Sequence, residues 1–375
     1  MRTLRSPLFL AAAFALGAFL TGCQKSPPTI KIGLAAVQSG SDAQIGLNML
    51  QGSQIAIDEW NARGGVLGQK IESISLDDEA NPQKAITVAN TLVHSGVVAV
   101  LGHFNSGCTI PASRVYNDAR VIQISPGSTN PLYTEQGFPY AFRICGRDDQ
   151  QGPIAARYMH DVLKLNKIAI LHNKTTAGQG QAAEVKAAFE AMGGTVVMFQ
   201  GISANDFDFG LSISAIKGSG ADGFFWGGMY GQGARLCLAL HQAGLNIPFV
   251  ACDGCFDPSF INTVGANASN VFISYGKDYR KFPAAQPFLD KYKTAYGRDA
   301  GAYSVYGYDA ANVLFTAMDK AQSTDADKVA AVLKSQTFQT ILGDIDFNAK
   351  GDIKKPGFVI WTIKDGKFQV AADSP

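Results

Sequence analysis

Three short polar turns carry the side chains best suited to gripping a small charged molecule. Two follow apolar runs in the first half of the 375-residue chain: Phe104-Asn105-Ser106 after residues 97–102, and Gly127-Ser128-Thr129 after residues 121–125. Ser106 and Thr129 supply hydroxyl donors, and the backbone at Gly107 and Gly127 lets an anion come close to main-chain N–H groups, which suits a carboxylate. The third turn, Cys252-Asp253-Gly254, carries a lone acid, with Trp226, Met229 and Tyr230 near it in sequence. That set suits an ammonium. Opposite partners on two halves of one chain describe a zwitterion. Four to six charge-assisted bonds of about 1.5–3 kcal/mol each, less the costs of ordering and desolvation, reach micromolar affinity, about 8 kcal/mol. Each residue also has a plain structural use: Ser106 and Thr129 as helix caps, Asp253 as a turn former.

Other chemistry fits less well. Gly178-Gln-Gly180-Gln-Ala-Ala183 has the form of a dinucleotide fingerprint, but residues 172–177 separate it from its strand and no acid closes the next strand. Cys252-Asp-Gly-Cys255 has thioredoxin spacing, yet Asp257-Pro258 interrupts the long helix that motif requires. Asp77-Asp78 reads as a strand end rather than a metal site, and the five histidines lack zinc spacing. No phosphate loop, nucleophile elbow or paired catalytic carboxylates are recognisable. The expectation is a binding protein with no catalytic step, no cofactor and no metal. Tyr303, Tyr306 and Tyr308 read as core or rim aromatics, with Tyr303 able to reach a cleft.

The elements that position these turns are βαβ units. Apolar, β-branched runs alternate with helical-period segments, the signature of an α/β protein with mainly parallel sheets. Strands are expected at 30–37, 70–77, 97–102 and 121–125, with helices at 46–62, 82–94 and 109–119. The pattern then restarts: strands at 167–172, 195–200 and 223–226, helices at 179–192, 208–218 and 234–243. Residues 95–125 match residues 219–251 element for element, so one architecture is used twice. Ligands of such sheets sit beyond the carboxyl ends of the strands, where all three polar turns fall. A late block, helices at 286–296 and 304–321 with strands at 344–347 and 358–363, is too small for a third domain and should return to complete the first.

The N-terminus adds an address. Arg2 and Arg5 precede a short apolar run that ends in Leu20-Thr-Gly-Cys23, a lipobox-like leader over residues 1–23, with lipidation expected at Cys23 and residues 24–29 as a tether. The remainder is expected to be soluble, extracytoplasmic and held at a membrane by its lipid alone. A net charge of +1 provides no field for nucleic acid. Beyond Cys23 stand five cysteines, an odd number, so at least one is free or paired between chains.

An ordered set of segments resembles the leucine/isoleucine/valine-binding proteins, the substrate-binding components of branched-chain amino acid ABC transporters. It comprises Asn61-Ala-Arg-Gly-Gly65, Leu76-Asp-Asp78, Asn81-Pro82, Gly102-His103, Thr109 with Pro111-Ala-Ser113, Ile124-Ser-Pro126, Arg143, Asp149-Gln-Gln-Gly152, Lys167-Ile-Ala-Ile170 and Gly227-Gly228. The resemblance implies a two-lobed type I periplasmic-binding-protein fold with crossings near Arg147, Tyr275 and Lys354. Lobe 1 would hold residues 30–147 and 276–354, lobe 2 residues 148–275 and 355–375. It implies a monomer that closes on a free amino acid and delivers it to a membrane permease. By position, Ser106, Gly127 and Thr129 resemble the family's carboxylate site, with Phe104 and Asn105 beside it, Asp253 its ammonium partner and Tyr303 a pocket aromatic. Where family members often present tyrosine, this chain has Ile45, Ala177 and Met229, which implies a wider, apolar side-chain pocket that admits a bulkier or aromatic ligand. A sensor of the same fold, or a binder of a carboxylate or amide without an ammonium, would share these features.

Overall fold

A computed structural model describes residues 28–204 and 206–374, so the leader, Cys23 and most of the tether lie outside the described residues. The first lobe begins β1 (Ile30–Ala36), α1 (Ala43–Ala62), β2 (Ile71–Asp77), α2 (Pro82–His94), β3 (Ala99–Gly102), α3 (Ser106–Asp118), β4 (Ile122–Ser125), α4 (Leu132–Glu135) and β5 (Ala141–Arg143). The second runs α5 (Asp148–Arg157), β6 (Lys167–His172), α6 (Thr176–Ala191), β7 (Thr195–Gly201), α7 (Gly210–Ser219), β8 (Gly223–Gly227), α8 (Tyr230–Gln242), β9 (Phe249–Ala251), α9 (Pro258–Val264) and β10 (Val271–Gly276). Helices α10 (Gln286–Tyr296), α11 (Ser304–Ala321) and α12 (Ala326–Ser335) follow, then the hairpin β11 (Phe338–Thr340) and β12 (Gly343–Ile345), and last β13 (Phe358–Lys364) and β14 (Lys367–Val370).

The strand orders show the internal repeat. The first sheet runs β2-β1-β3-β4-β5, all parallel, and the second runs β7-β6-β8-β9-β10 in the same sense before β13 and β14 extend it antiparallel. β3 and β4 are buried throughout, as are β8 and β9, which explains their continuous apolar runs.

The late block completes the first lobe. Helix α11 packs on α1 through glycines so closely that a Cβ on Gly52 would stand 1.8 Å from the Ser304 carbonyl and one on Gly307 2.0 Å from the Met49 carbonyl. No side chain fits between them. Of the late strands, 358–363 forms as expected within β13, but 344–347 does not: residues 338–345 form a hairpin, because Asp309 accepts the N–H groups of Ile341 and Leu342 (3.3 and 3.0 Å) and fixes a turn there.

Three crossings between the lobes lie side by side. The Arg143 N–H bonds the Gly351 carbonyl at 2.9 Å, and Asp352 takes Arg143 Nε at 2.8 Å and Arg147 at 2.9 Å. A Cβ on Gly146 would meet the Phe358 ring at 2.3 Å, and one on Gly357 would meet Lys277 at 2.3 Å. The hinge strands therefore touch. Among the described residues no helix is long and apolar enough to cross a membrane.

Candidate ligand-binding cleft

Five helices begin at the wall of the gap between the lobes, α1, α2 and α3 from one side, α6 and α8 from the other. First-turn N–H groups lack intrahelical acceptors; Asn81 takes two of them on α2 and Thr175 one on α6. The facing starts of α3 and α6 come close: a Cβ on Gly107 would lie 3.3 Å from Thr176 Oγ1. Between them lies a cavity of about 540 Å³, inside the range of about 300–1,000 Å³ typical of small-molecule sites.

Nine of the twelve residues expected at a ligand line this cavity: Phe104, Asn105, Ser106, Gly127, Thr129, Ala177, Met229, Asp253 and Tyr303. Ser106 is the first residue of α3 and Thr129 sits in the loop after β4; both are buried at the cavity wall. Ser106 Oγ accepts from the Asn130 N–H at 3.3 Å, so its own proton remains free to donate. Neither Ser106 nor Thr129 caps a helix by its side chain; of α3 and α6, it is α6 that has a side-chain cap, Thr175, which takes the Gly178 N–H at 3.1 Å. Gly127 is needed for a different reason from the one expected: a Cβ there would stand only 2.5 Å from the Phe104 ring. Asn105 adds a buried side-chain amide oxygen, Oδ1, with no partner among the described residues.

Asp253 faces this wall from the second lobe. Gln181 Nε2 donates to its Oδ1 at 2.9 Å, the Gly254 N–H at 3.1 Å, and the Tyr303 hydroxyl, from the first lobe, to its Oδ2. Burial pushes its carboxyl above the ordinary carboxylate range, and these donors work against that rise. The Tyr303 hydroxyl is raised far more, again by burial first and then by Asp253, so it stays protonated and donates.

Three expected residues lie elsewhere. Ile45 is fully buried in the first lobe's core, because α1 presses onto the end of β1: a Cβ on Gly46 would be 1.9 Å from the Val37 carbonyl, which turns the next side chain inward. Trp226 is also fully buried, its ring beneath the glycine loop, 2.5 Å from a Cβ placed on Gly228, and its N–H bonds the Met229 carbonyl at 3.2 Å. Tyr230 does not line the cavity; its hydroxyl crosses the cleft to donate to the carbonyl of Ser41, a cavity-wall residue of the opposite lobe, at 2.8 Å. With Asn130 donating to the Thr176 carbonyl at 3.1 Å, and Tyr303 to Asp253, it draws the lobes together.

The outer part of the cavity is more polar than expected, with Ser39, Asp42, Glu79, Lys174 and Gln232 in its wall. Asp77 and Asp78 are turn-forming acids: Asp77 takes the Gln38 and Glu79 N–H groups at 2.8 Å each, and Asp78 takes the Ala80 N–H at 2.9 Å and bonds His103 at 2.6 Å. Cys108, Cys145, Cys237, Cys252 and Cys255 are all buried free thiols. Burial pushes the thiols of Cys252 and Cys255 upward, away from the reactive thiolate form. The Gly178 segment follows β6 at the start of α6, and its glycine serves packing: a Cβ there would stand 2.5 Å from the Gly227 carbonyl. Three residues of the site lie outside the turns singled out in the sequence: Asn130, Gln181 and Asp148. The nearest signal was the Asp149-Gln-Gln-Gly152 segment, one residue past Asp148.

Two repeated parallel sheets, a three-strand hinge and a lined gap between the lobes define a two-lobed solute-binding protein. The chain belongs to the periplasmic binding protein family, whose model matches residues 29–367. It is 36% identical over 371 residues to a Leu/Ile/Val-binding protein homolog 1 of Brucella suis, with 98% of each chain covered. It is 33% identical to a leucine-, isoleucine-, valine-, threonine- and alanine-binding protein of Pseudomonas aeruginosa, with 94% of each covered. The branched-chain amino acid transporter substrate-binding protein LivJ of Streptococcus pneumoniae, solved with isoleucine, superposes with a TM-score of 0.83 at 27% identity, covering 93% of this chain and all of that one.

Proposed function

We propose that this protein captures a free amino acid outside the cytoplasm and hands it to the permease of an ABC transporter, without catalysing a reaction. The observation that carries this reading is the opposition of Asp253 to Ser106 and Thr129 across one cavity: an acid on one lobe, hydroxyl and main-chain donors on the other. A carboxylate set against the α3 N-terminus gains from the dipole there. An ammonium set against Asp253 relieves a buried charge that otherwise has only neutral donors. The relatives, whose names describe amino acid binding, support the same reading.

The lobes divide in this proposal at the crossings near 147, 275 and 354, and they part to admit the ligand by bending there. The cross-lobe bonds of Tyr230, Asn130 and Tyr303 then belong to the closed form, which the permease reads. Cys23 carries the lipid, and the working unit is a monomer. The roomy cavity and the small Ala177 favour a range of side chains over a strict branched-chain set.

A thermal-shift screen against the free amino acids tests this directly. A ligand at a hundred times its Kd adds about 2.7 kcal/mol to stability. At least one amino acid should raise the melting temperature; no shift with any of them contradicts the proposal.

A further inference from the structure

The cleft so far uses one acid. A second lies behind it. Asp148, the first residue of α5 where the chain enters the second lobe, is fully buried, and neither carboxylate oxygen has a hydrogen-bond partner in good geometry among the described residues. An ionised carboxylate left in that condition is costly. Its near polar neighbours are the Thr129 hydroxyl and the Gln181 amide, and Gln181 also donates to Asp253. Its backbone N–H is tied to the Thr129 carbonyl at 2.9 Å. On the α6 side Gly180 passes so close that a Cβ would stand 3.3 Å from Asp148 Oδ2. The titratable and charged groups facing it are Asp253 and Cys252 from the second lobe, and Arg143 and Cys145 from the strand that leads into the hinge. Arg143 is already engaged by Asp352. Burial pushes the Asp148 carboxyl up to about 7, with Asp253 adding to the rise and the Thr129 hydroxyl and Arg143 opposing it.

We propose that Asp148 is a second acid of the ligand site: with Asp253 it balances the ligand's positive charge, so that loading an ammonium expels a proton. This rests on the function proposed above. Empty, the buried pair of carboxyls keeps one proton near neutrality, because two like charges this deep do not ionise together. When the ammonium enters, that proton leaves to solvent and an ammonium–carboxylate pair remains; no other bond changes. Asp148 does not line the cavity and acts through its charge.

Proton linkage gives the test. An amino acid's own carboxyl and amino groups do not titrate between pH 5 and 7, so a proton released there comes from the protein. Titration calorimetry of the purified protein with its best amino acid at pH 6.5, in phosphate and in Bis-Tris, counts protons from the difference in heat. The expected result is release of about one half to one proton per ligand, with affinity about tenfold weaker for each pH unit below 7. Asp148→Asn should abolish the release and flatten the pH profile. Binding with no buffer dependence, or unchanged release in Asp148→Asn, overturns the proposal and leaves the amino acid function standing. If that variant does not fold, the count on the unaltered protein decides alone. Failure of every amino acid to bind overturns the function itself, and this proposal with it.

Discussion

Tyr303 ties the lobes at the point where the ligand's charge would sit, and it is the residue whose loss separates closure from packing. Its ring rests edge-on to Phe104 at 4.9 Å and to Tyr275 at 5.4 Å, so phenylalanine keeps those contacts and loses only the donor to Asp253. A hydrogen bond to a charged group is worth about 1.5–3 kcal/mol. Tyr303→Phe should therefore weaken amino acid binding roughly 10- to 100-fold by calorimetry while its melting temperature without ligand changes little; equal affinity contradicts the assignment. Ala177 sits where a larger residue would intrude on the cavity. Ala177→Tyr should shrink the set of amino acids that give a thermal shift, and an unchanged set counts against a role in selectivity. Strand-end logic found Ser106, Thr129 and Asp253 because the carboxyl ends of parallel strands must open onto the cleft. It failed for Trp226, and the family resemblance failed for Ile45; the direction of each depends on how closely the glycine loop and α1 press on the sheets beneath. Nothing local in the sequence encodes those distances.

Helices carry the cleft by their first turns, and those turns were the hardest part to read. Expected starts at 46, 109, 179 and 234 fall three or four residues late, against observed starts at Ala43, Ser106, Thr176 and Tyr230. The cause is physical: a turn that faces a water-filled gap has no reason to show apolar periodicity, so the pattern begins only where the helix meets its sheet. Helix α5 was missed for the same reason, since it opens on Asp148-Asp-Gln-Gln151, and Asp148 went with it. By contrast, α2 was placed to the residue: Asn81 caps it with bonds to the Gln83 and Lys84 N–H groups, followed by Pro82 at the first position. Helix α6 also shows why a glycine motif misleads. A Cβ on Gly178 would stand 2.2 Å from Asn173 Oδ1 as well as near the Gly227 carbonyl. Gly178→Ala should cost about 1–3 kcal/mol of stability in urea denaturation; a neutral result would show that α6 can move off β8.

For the whole molecule, the twofold use of one architecture and the returning C-terminal block were legible from the alternation of elements, and the two-lobed class from the family resemblance. The closeness of the three crossings was not, because Gly146, Gly351 and Gly357 matter there only through neighbours distant in sequence: Phe358, Ala141 and Lys277. The buried acids also set a pH dependence of the fold. Asp148 and Asp309 are both pushed up to about 7 by burial, whereas an unfolded aspartate titrates near 3.9. Between those values the folded state binds more protons than the unfolded one, so stability is highest at the acidic end and falls as pH rises from about 4 to 7, by at most about 1.4 kcal/mol per unit for each group. His172, depressed by burial and Lys174, pulls the other way below its ordinary value. Two acids outweigh one histidine, so melting of the ligand-free protein should be higher at pH 5 than at pH 8, and Asp148→Asn should narrow that gap; the opposite order contradicts the assignment of buried, proton-holding acids.

The most direct test of opposed charges across the cleft is a calorimetric comparison of two ligands on two proteins: the best amino acid and its desamino carboxylate, on the unaltered chain and on Asp253→Ala. The amino acid should lose about 2–5 kcal/mol on the variant, through an ammonium left without its partner, while the desamino acid binds both proteins alike. If Asp253→Ala binds the amino acid as tightly as the unaltered protein does, the cleft does not hold its ligand by this pair of charges.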